Sequence, residues 1–372
     1  MSGAVPALAR AEIPSLNGLR AVAVSLVFLA HAGLDRVIPG GLGVTIFFVL
    51  SGYLITTLML QEQAHRGRVN LPAFFLRRFL RLMPPLALML LLTAALARAQ
   101  LIDGSYSLAG FLSVLFYFGN YFVIAHDFSG VPAGVGVVWS LAVEEHYYLL
   151  YPWLAVPLLH LNRPKLAGGL LAALCLVVLA WRWLLATSGT PEAYLIMASD
   201  TRLDAILIGC VLALTANPWS MPRAAGPVSR DALLLCACLA LLLGSLLVRD
   251  PMFRVTLRYT VQGIATAGLL YLAVARAGMA PYRWLNARVM NYLGTVSYTI
   301  YLFHHVLLFA TARYLPTAPG VVIAIIAAGL TLAVAELMRR HVEEPCARLR
   351  RRLHRPADAV AAARVAGAGA TP

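Results

Sequence analysis

Long apolar stretches separated by short polar segments recur along the whole chain. A stretch of about 20 apolar residues can cross a bilayer as a helix, whereas strands of a membrane barrel would alternate apolar and polar positions. The pattern therefore predicts an all-α, polytopic bundle of about ten transmembrane helices. The predicted spans are 15–33, 41–60, 82–98, 137–159, 166–187, 199–216, 231–248, 256–275, 289–312 and 319–340.

The basic residues between these stretches predict how the spans are oriented. If the N-terminus lies in the cytoplasm, the loops on the outer side contain few arginines, and the arginine-rich segments all fall inside. This distribution follows the positive-inside rule and predicts cytoplasmic N- and C-termini. The inner segments are then 61–81, 160–165, 217–230, 276–288 and the tail beyond 339.

Segment 109–125 is apolar enough to span, but counting it would reverse every later loop and place the basic ones outside. We therefore predict that it is re-entrant, interfacial or packed within the bundle. The chain divides into a cytoplasmic N-terminal segment 1–14, a transmembrane domain 15–345, and a tail 346–372 that is first basic and then disordered.

The composition agrees with a membrane protein. Of 372 residues, 60% are hydrophobic and 12% charged, and the mean hydropathy is +0.78. These values exclude a soluble globular enzyme, a disordered chain and a coiled coil. The net charge of +14 often indicates nucleic-acid binding, but most of these arginines lie between apolar stretches. We expect membrane lipid and an anionic ligand as partners, and no nucleic acid.

Ionisable residues inside predicted spans are costly and mark functional sites. Arg20 and His31 are eleven residues apart, a helical rise of about 16 Å, which places Arg20 near the inner interface and His31 towards the outer half. A neutral histidine at that depth can act as a general base towards a hydroxyl. Glu144 lies at a similar predicted depth and is expected to orient His31 as in a catalytic dyad. A histidine facing lipid headgroups and a structural ion pair are the alternatives.

Three arginines lie on one broad helical face near the inner side: Arg77, Arg78 and Arg81. Guanidinium groups bind phosphates through paired hydrogen bonds, so this face suits a nucleotide-like anion such as coenzyme A. An ordinary topology signal with headgroup contacts is the alternative. The dipeptide Ser51-Gly52 lies in an apolar run, where it indicates close packing of helices. A serine nucleophile is the alternative, but no G-x-S-x-G context supports it.

These features in this order resemble acyltransferase family 3 of bacterial integral-membrane O-acyltransferases. The resemblance rests on Arg20 and His31 with their ten-residue spacing, FFVLSGYL, RRFLRLMPP, WSLAVEEHYYLLYP, the Arg202 and Asp204 segment, SYTIYLFH and VEEP. It covers residues 16–345 approximately and implies acyl transfer, often of acetyl, from acyl-coenzyme A to a hydroxyl. It also implies an envelope or secreted glycan, or a glycosylated metabolite, as acceptor and a place in the bacterial inner membrane.

The residues and the resemblance together give the following expectations. No permanently bound cofactor and no metal is expected, and acyl-coenzyme A is the donor substrate. The catalytic residues are His31 and Glu144. The residues that bind acyl-coenzyme A are Arg20, Arg77, Arg78, Arg81, Ser51 and Tyr53. The residues that bind the acceptor or support the site are Asn120, Trp139, Ser140, Arg202, Asp204, Tyr301 and His304.

A transporter or flippase for an anionic or glycan substrate is the main alternative. It would also explain charged residues at depth. Transporters of that kind are built from internal repeats with matching broken helices, however, and no repeat is visible in this sequence. A non-catalytic scaffold would leave the polar residues at depth unexplained.

Overall fold

A computed structural model describes residues 12–221 and 228–351. Most of the predicted segment 1–14 and the predicted disordered end of the tail therefore lie outside the described residues. Within the described part all regular structure is helical, which confirms the predicted all-α class. The α-helices in chain order are α1 (Leu16–Leu29), α2 (Gly40–Arg66), α3 (Leu71–Arg98), α4 (Leu108–Leu115), α5 (Gly119–His126), α6 (Trp139–His160), α7 (Pro164–Thr187), α8 (Glu192–Met197), α9 (Ser199–Thr215), α10 (Val228–Leu247), α11 (Pro251–Val255), α12 (Leu257–Ala275), α13 (Arg288–Thr295), α14 (Ser297–Tyr314) and α15 (Gly320–Met338).

Two kinds of irregular helix extend or precede these elements. A π-helical turn at Ala30–Leu34 continues α1, and another at Arg339–Glu343 continues α15. A 3₁₀ turn at Val135–Val138 leads into α6, and a second at Tyr282–Asn286 precedes α13. The turn after α1 positions His31 at the end of the helix.

All ten predicted spans coincide with helices, but not all of these helices are long and apolar enough to cross a membrane. Among the described residues six helices meet both conditions, or seven if the pair α13 and α14, bent by 71°, counts as one span. Helices α6, α9 and α12 are too short or too polar to qualify by themselves. The chain is therefore a multi-pass membrane protein, while the count of ten and the orientation of the termini remain predictions. The six are Leu16–Leu34, Gly40–Arg66, Leu71–Arg98, Pro164–Thr187, Ser229–Leu247 and Gly320–Arg351.

Segment 109–125 folds as the two short helices α4 and α5, of eight residues each. A helix of that length rises about 12 Å and cannot cross a bilayer. The side chain of Asn120 is fully buried, and its amide donates to the carbonyl of Met197 at 3.2 Å and to Ser199 Oγ at 3.1 Å. These bonds fix α5 within the bundle, which agrees with the packed alternative for this half of the segment. Helix α4 exposes Leu108 and Leu112, so the prediction for that half stays open.

Glycines let the backbones of α2 and α9 approach closely. A Cβ atom on Gly52 would lie 1.9 Å from the carbonyl oxygen of Ile206, and one on Gly209 would lie 2.1 Å from that of Val49. Small residues at such crossings are a general device for packing helices in membranes. The helix-packing interpretation of Ser51-Gly52 therefore holds for Gly52, and the same contact fixes the orientation of Ser51.

We predict that Gly52→Ala lowers the stability of the folded chain by about 1–3 kcal/mol, because the added methyl group must displace the backbone of α9. Thermal unfolding of the purified protein in detergent measures the effect. The matched control is Gly329→Ala, where a Cβ meets nothing within 4 Å, so its melting temperature should stay unchanged or rise. Equal behaviour of the two variants would contradict the packing argument.

Candidate functional site

Three histidines meet at the end of α1. His31 Nδ1 lies 2.9 Å from His304 Nε2, and the His305 ring stacks on the His31 ring with centroids 4.2 Å apart. His304 is fully buried, and its Nδ1 donates to the carbonyl oxygen of Tyr301 at 2.8 Å. His31 itself is exposed, so one edge of its ring is open to a ligand.

A second polar group lies deeper in the bundle, around Glu144. Ser51 Oγ donates a hydrogen bond to Glu144 Oε1, and Tyr148 OH donates to Ser51 Oγ at 3.2 Å. Glu144 Oε2 accepts no hydrogen bond from a described residue. These side chains line a small chamber of about 60 Å³. The chamber thus contains a carboxylate oxygen that is available to a ligand.

The expected pairing of Glu144 with His31 is wrong. Glu144 bonds to Ser51, and His31 bonds to His304. The reason is depth: Gly40 lies against Ala30, and Ser51 follows Gly40 by eleven residues of α2, about 16 Å further into the bundle. The position of a residue within its own span does not determine its depth relative to a residue in another span.

The basic residues divide into two groups. Arg20, Arg78 and Arg81 line the chamber, and none of them forms a hydrogen bond or ion pair with a described residue. Arg78 lies over the Tyr148 ring, 5.1 Å from its centroid. Arg77 points elsewhere and pairs with Glu62 at 3.1 Å. The structure therefore brings three of the four predicted arginines to one cavity. The single carboxylate there, Glu144, can balance only one of the three positive charges.

Next to the chamber lies a larger cavity of about 550 Å³, on the face where α1 begins. The two cavities share three lining residues, Arg20, Arg81 and Tyr298, so they are adjacent. Further arginines from the end of the chain line the outer part, together with acidic residues: Arg339, Arg350, Arg351, Glu12, Glu343 and Glu344. An elongated anion could enter from this face with its charged end on the arginines.

Tyr301 forms the roof of the chamber. Its hydroxyl donates to the carbonyl oxygen of Val137 at 2.7 Å and lies 2.7 Å from Ser140 Oγ. Its ring lies 5.6 Å from the His304 ring, centroid to centroid. Tyr301 and Ser140, both predicted site residues, thus separate the arginine-lined chamber from His31.

Arg202 is held by aromatic rings rather than by an acid. Its guanidinium lies 3.7 Å from the centroid of the Tyr259 ring and 5.9 Å from that of Trp139. It also donates to Thr45 Oγ1 at 3.4 Å. Cation–π contacts of this kind stabilise a desolvated guanidinium, and they assign Arg202 and Trp139 to the framework beside the chamber.

Asp204 belongs to a buried ion pair. Its carboxylate receives two hydrogen bonds of 3.0 Å from Arg182 and one of 2.5 Å from Thr260, and both charged side chains are inaccessible to solvent. Asp204 is a predicted site residue, whereas its partner Arg182 is not. An arginine inside the predicted span 166–187 was the signal that could have identified it.

Two other predicted site residues, Tyr53 and Asn120, line neither of the two cavities. The hydroxyl of Tyr53 donates to Asn217 Oδ1 at 2.8 Å, and Asn217 in turn donates to Thr57 Oγ1 at 2.9 Å. Asn120 is bonded to α8 and α9 as described above. Conversely, Glu145 is not among the predicted site residues. Its buried Oε1 has no hydrogen-bond partner among the described residues, and the residue lines a side cavity of about 200 Å³ together with Arg78.

The arrangement combines an exposed histidine with two adjacent cavities lined by arginines. A histidine can take a proton from a hydroxyl, and arginines without acidic partners can bind phosphate. No group of three side chains that could hold a metal ion occurs in the part of the chain that the structure describes. The geometry is thus suited to transfer between a phosphate-bearing donor and a hydroxyl.

The known proteins that this chain is similar to are acyltransferases. A family model described as an acyltransferase domain matches residues 13–340. The peptidoglycan O-acetyltransferase OatA of Listeria monocytogenes serovar 1/2a is 32% identical over 354 residues, covering 90% of this chain and 56% of that protein. The O-acetyltransferase OatA of Staphylococcus aureus strain NCTC 8325 is 28% identical over 347 residues, covering 90% and 57%. This chain therefore spans little more than half the length of these curated relatives. No solved structure matches it.

We predict that Asp204→Ala costs about 3–5 kcal/mol of stability, because it leaves Arg182 buried without its counter-charge. The recovery of monodisperse protein in size-exclusion chromatography and its melting temperature measure the loss. The control is Glu336→Ala, which breaks more exposed ion pairs with Arg339 and Arg340 and should lower the melting temperature far less than Asp204→Ala does. A well-folded but inactive Asp204→Ala protein would instead indicate a direct role at the site.

Proposed function

Because this chain belongs to acyltransferase family 3, we propose that it is a membrane O-acyltransferase that moves an acyl group from acyl-coenzyme A to a sugar hydroxyl. The observation that carries this proposal is the arrangement of one exposed histidine at the end of α1 and, beyond Tyr301, three arginines that line the internal chamber and form no ion pair with a described residue. The first suits a base and the second suits the phosphates of the donor.

The separation of these two groups fits the shape of coenzyme A. From Arg20 to His31 the helix rises about 16 Å. The phosphopantetheine arm has about thirteen bonds from phosphorus to sulfur, which at the reach of an extended peptide backbone amounts to roughly 15 Å. With the phosphates on Arg20, Arg78 and Arg81, the thioester would arrive near His31.

The arm would have to pass the chamber around Glu144. At about 60 Å³ the chamber is too small for it, so binding would displace the roof formed by Tyr301. The carboxylate oxygen Oε2 of Glu144, which accepts no hydrogen bond from a described residue, would then accept one from an amide N–H of the arm. In this proposal Glu144 binds the donor, and it does not orient the base as the sequence suggested.

The reaction would then be a single displacement. A ring nitrogen of His31 removes the proton of the sugar hydroxyl, and the oxygen attacks the thioester carbonyl carbon. The new C–O bond forms as the C–S bond breaks, and the proton held on His31 passes to the departing sulfur. The products are an O-acyl sugar and coenzyme A with a free thiol.

The relatives indicate the acyl group and the type of acceptor. Both are named O-acetyltransferases, and one is named for peptidoglycan. We therefore propose acetyl-coenzyme A as the donor, a sugar of an envelope or secreted glycan or a glycoside as the acceptor, and the bacterial inner membrane as the location. The larger arginine-lined cavity would face the cytoplasm, where acetyl-coenzyme A is made.

We predict that inverted membrane vesicles containing the wild-type chain release free thiol from acetyl-coenzyme A and transfer labelled acetyl to the glycan fraction. His31→Ala should lower the turnover by roughly 10²–10⁴-fold, because it removes the base. His160→Ala, at the exposed end of α6, is the matched control and should retain activity. Uptake of a labelled anion without any thiol release would support a transporter and overturn the proposal.

We further predict that Arg78→Ala and Arg81→Ala each raise the KM for acetyl-coenzyme A by about 10- to 100-fold, the range expected when hydrogen bonds to a charged group are lost. Arg77→Ala, whose parent side chain pairs with Glu62, should change this KM by less than about threefold. Steady-state thiol release at varied donor concentration measures all three variants. Equal effects of all three substitutions would show that surface charge, and not the chamber, binds the donor.

A further inference from the structure

We infer that His304 fixes the proton of His31 on Nδ1. Nε2 of His31 is then unprotonated and can act as the base. This inference rests on the proposed function, in which His31 takes the proton of the acceptor hydroxyl. His304 would be a positioning residue, because it acts through His31 and does not itself touch the substrate.

The proton positions follow from the order of donors and acceptors along the pair. His304 Nδ1 lies 2.8 Å from the carbonyl oxygen of Tyr301 and 3.2 Å from that of Ile300. A carbonyl oxygen only accepts, so Nδ1 of His304 carries the hydrogen and Nε2 of the neutral ring has a lone pair. That Nε2 lies 2.9 Å from His31 Nδ1, which must therefore be the donor.

The consequence for His31 is a single tautomer. A neutral imidazole carries one N–H, so a hydrogen fixed on Nδ1 leaves Nε2 free to accept a proton. Once His31 is protonated, its Nδ1–H still donates to His304, and this hydrogen bond becomes charge-assisted. The pair thus resembles the orienting hydrogen bond of a serine-protease triad, with a neutral imidazole in place of the carboxylate.

The surroundings hold His304 in this orientation. The residue is fully buried on α14, and its ring lies 6.3 Å from the Phe28 ring and 5.6 Å from the Tyr301 ring, centroid to centroid. Tyr301 is fixed in turn by its hydroxyl, which bonds to Val137 and Ser140. Turning this ring would break hydrogen bonds at both of its nitrogens, so the bonds hold its orientation.

The other polar neighbours do not take this role. His305 contacts His31 through stacked ring faces, with an interplanar angle of 23°, so neither ring nitrogen is in line for a hydrogen bond. Glu144 bonds to Ser51 in the chamber. Among the residues that the structure describes, His304 alone forms a hydrogen bond with His31.

The inference is tested by the ¹⁵N NMR spectrum of the full chain labelled with ¹⁵N-histidine, in which the His31 signals are assigned by their loss in His31→Asn. We expect the wild-type His31 to carry its hydrogen on Nδ1. His304→Leu should spread the hydrogen over both nitrogens. His304→Gln should keep it on Nδ1, because the amide oxygen of glutamine can accept it. His305→Leu is the matched control and should leave the tautomer unchanged.

Kinetics provides the second readout. His304→Leu should lower kcat by about 10- to 100-fold, less than the loss expected for His31→Ala, and leave the KM for acetyl-coenzyme A within about twofold. His304→Gln should recover most of the lost kcat. If His304 were only a packing residue, its substitution would reduce the yield of folded protein without moving the His31 proton.

Two results would overturn the inference: a hydrogen on Nε2 of His31 in the wild type, or an unchanged tautomer in His304→Leu. Both are read from the protein without substrate. Failure of the wild type to release thiol from acetyl-coenzyme A would instead overturn the proposed function and leave the NMR result unaffected. The two failures are therefore distinguishable.

Discussion

An ionisable side chain inside an apolar helix bundle must find a counter-charge, a polarisable partner such as an aromatic ring, or a cavity, and this constraint determines the internal organisation of the protein. Arg182 and Asp204 meet it by forming a solvent-inaccessible pair. Arg20, Arg78 and Arg81 meet it by lining a cavity that contains a single carboxylate. The first solution contributes to the framework, whereas the second leaves positive charge available to a ligand. The same residue type therefore serves stability in one place and binding in another.

Close helix packing sets the geometry on which the proposed chemistry depends. The glycine contacts between α2 and α9 fix α2 in the centre of the bundle, and α2 contributes Ser51 to the chamber. Tyr301 closes the chamber on the side of the histidines. The proposed base and the arginines of the chamber consequently lie on opposite sides of Tyr301. This separation suits a long donor with a charged end and a reactive end far better than it suits a small anion.

Local sequence information alone predicted the helical class and indicated the family. It also identified the ionisable residues inside predicted spans. Long apolar runs and a fixed motif order do not depend on how helices pack, and the structure and the comparisons confirm both. The expected bond between Glu144 and His31 failed for a geometric reason. Depth counted along two separate spans does not give the offset between them, and here the offset is about 16 Å. The roles assigned to the site residues stay predictions.

The sequence by itself determined which ionisable residues lie within apolar spans, where their burial is unfavourable. It thereby indicated where a functional site should be sought. Only the tertiary structure decided how they pair: His31 with His304, Glu144 with Ser51, and Arg77 with Glu62. The first two pairs join residues 273 and 93 positions apart along the chain. A helix turns by about 100° per residue, so a small rotation or shift of one helix changes which side chains meet. Pairing is therefore fixed by packing between helices, about which local sequence contains little information.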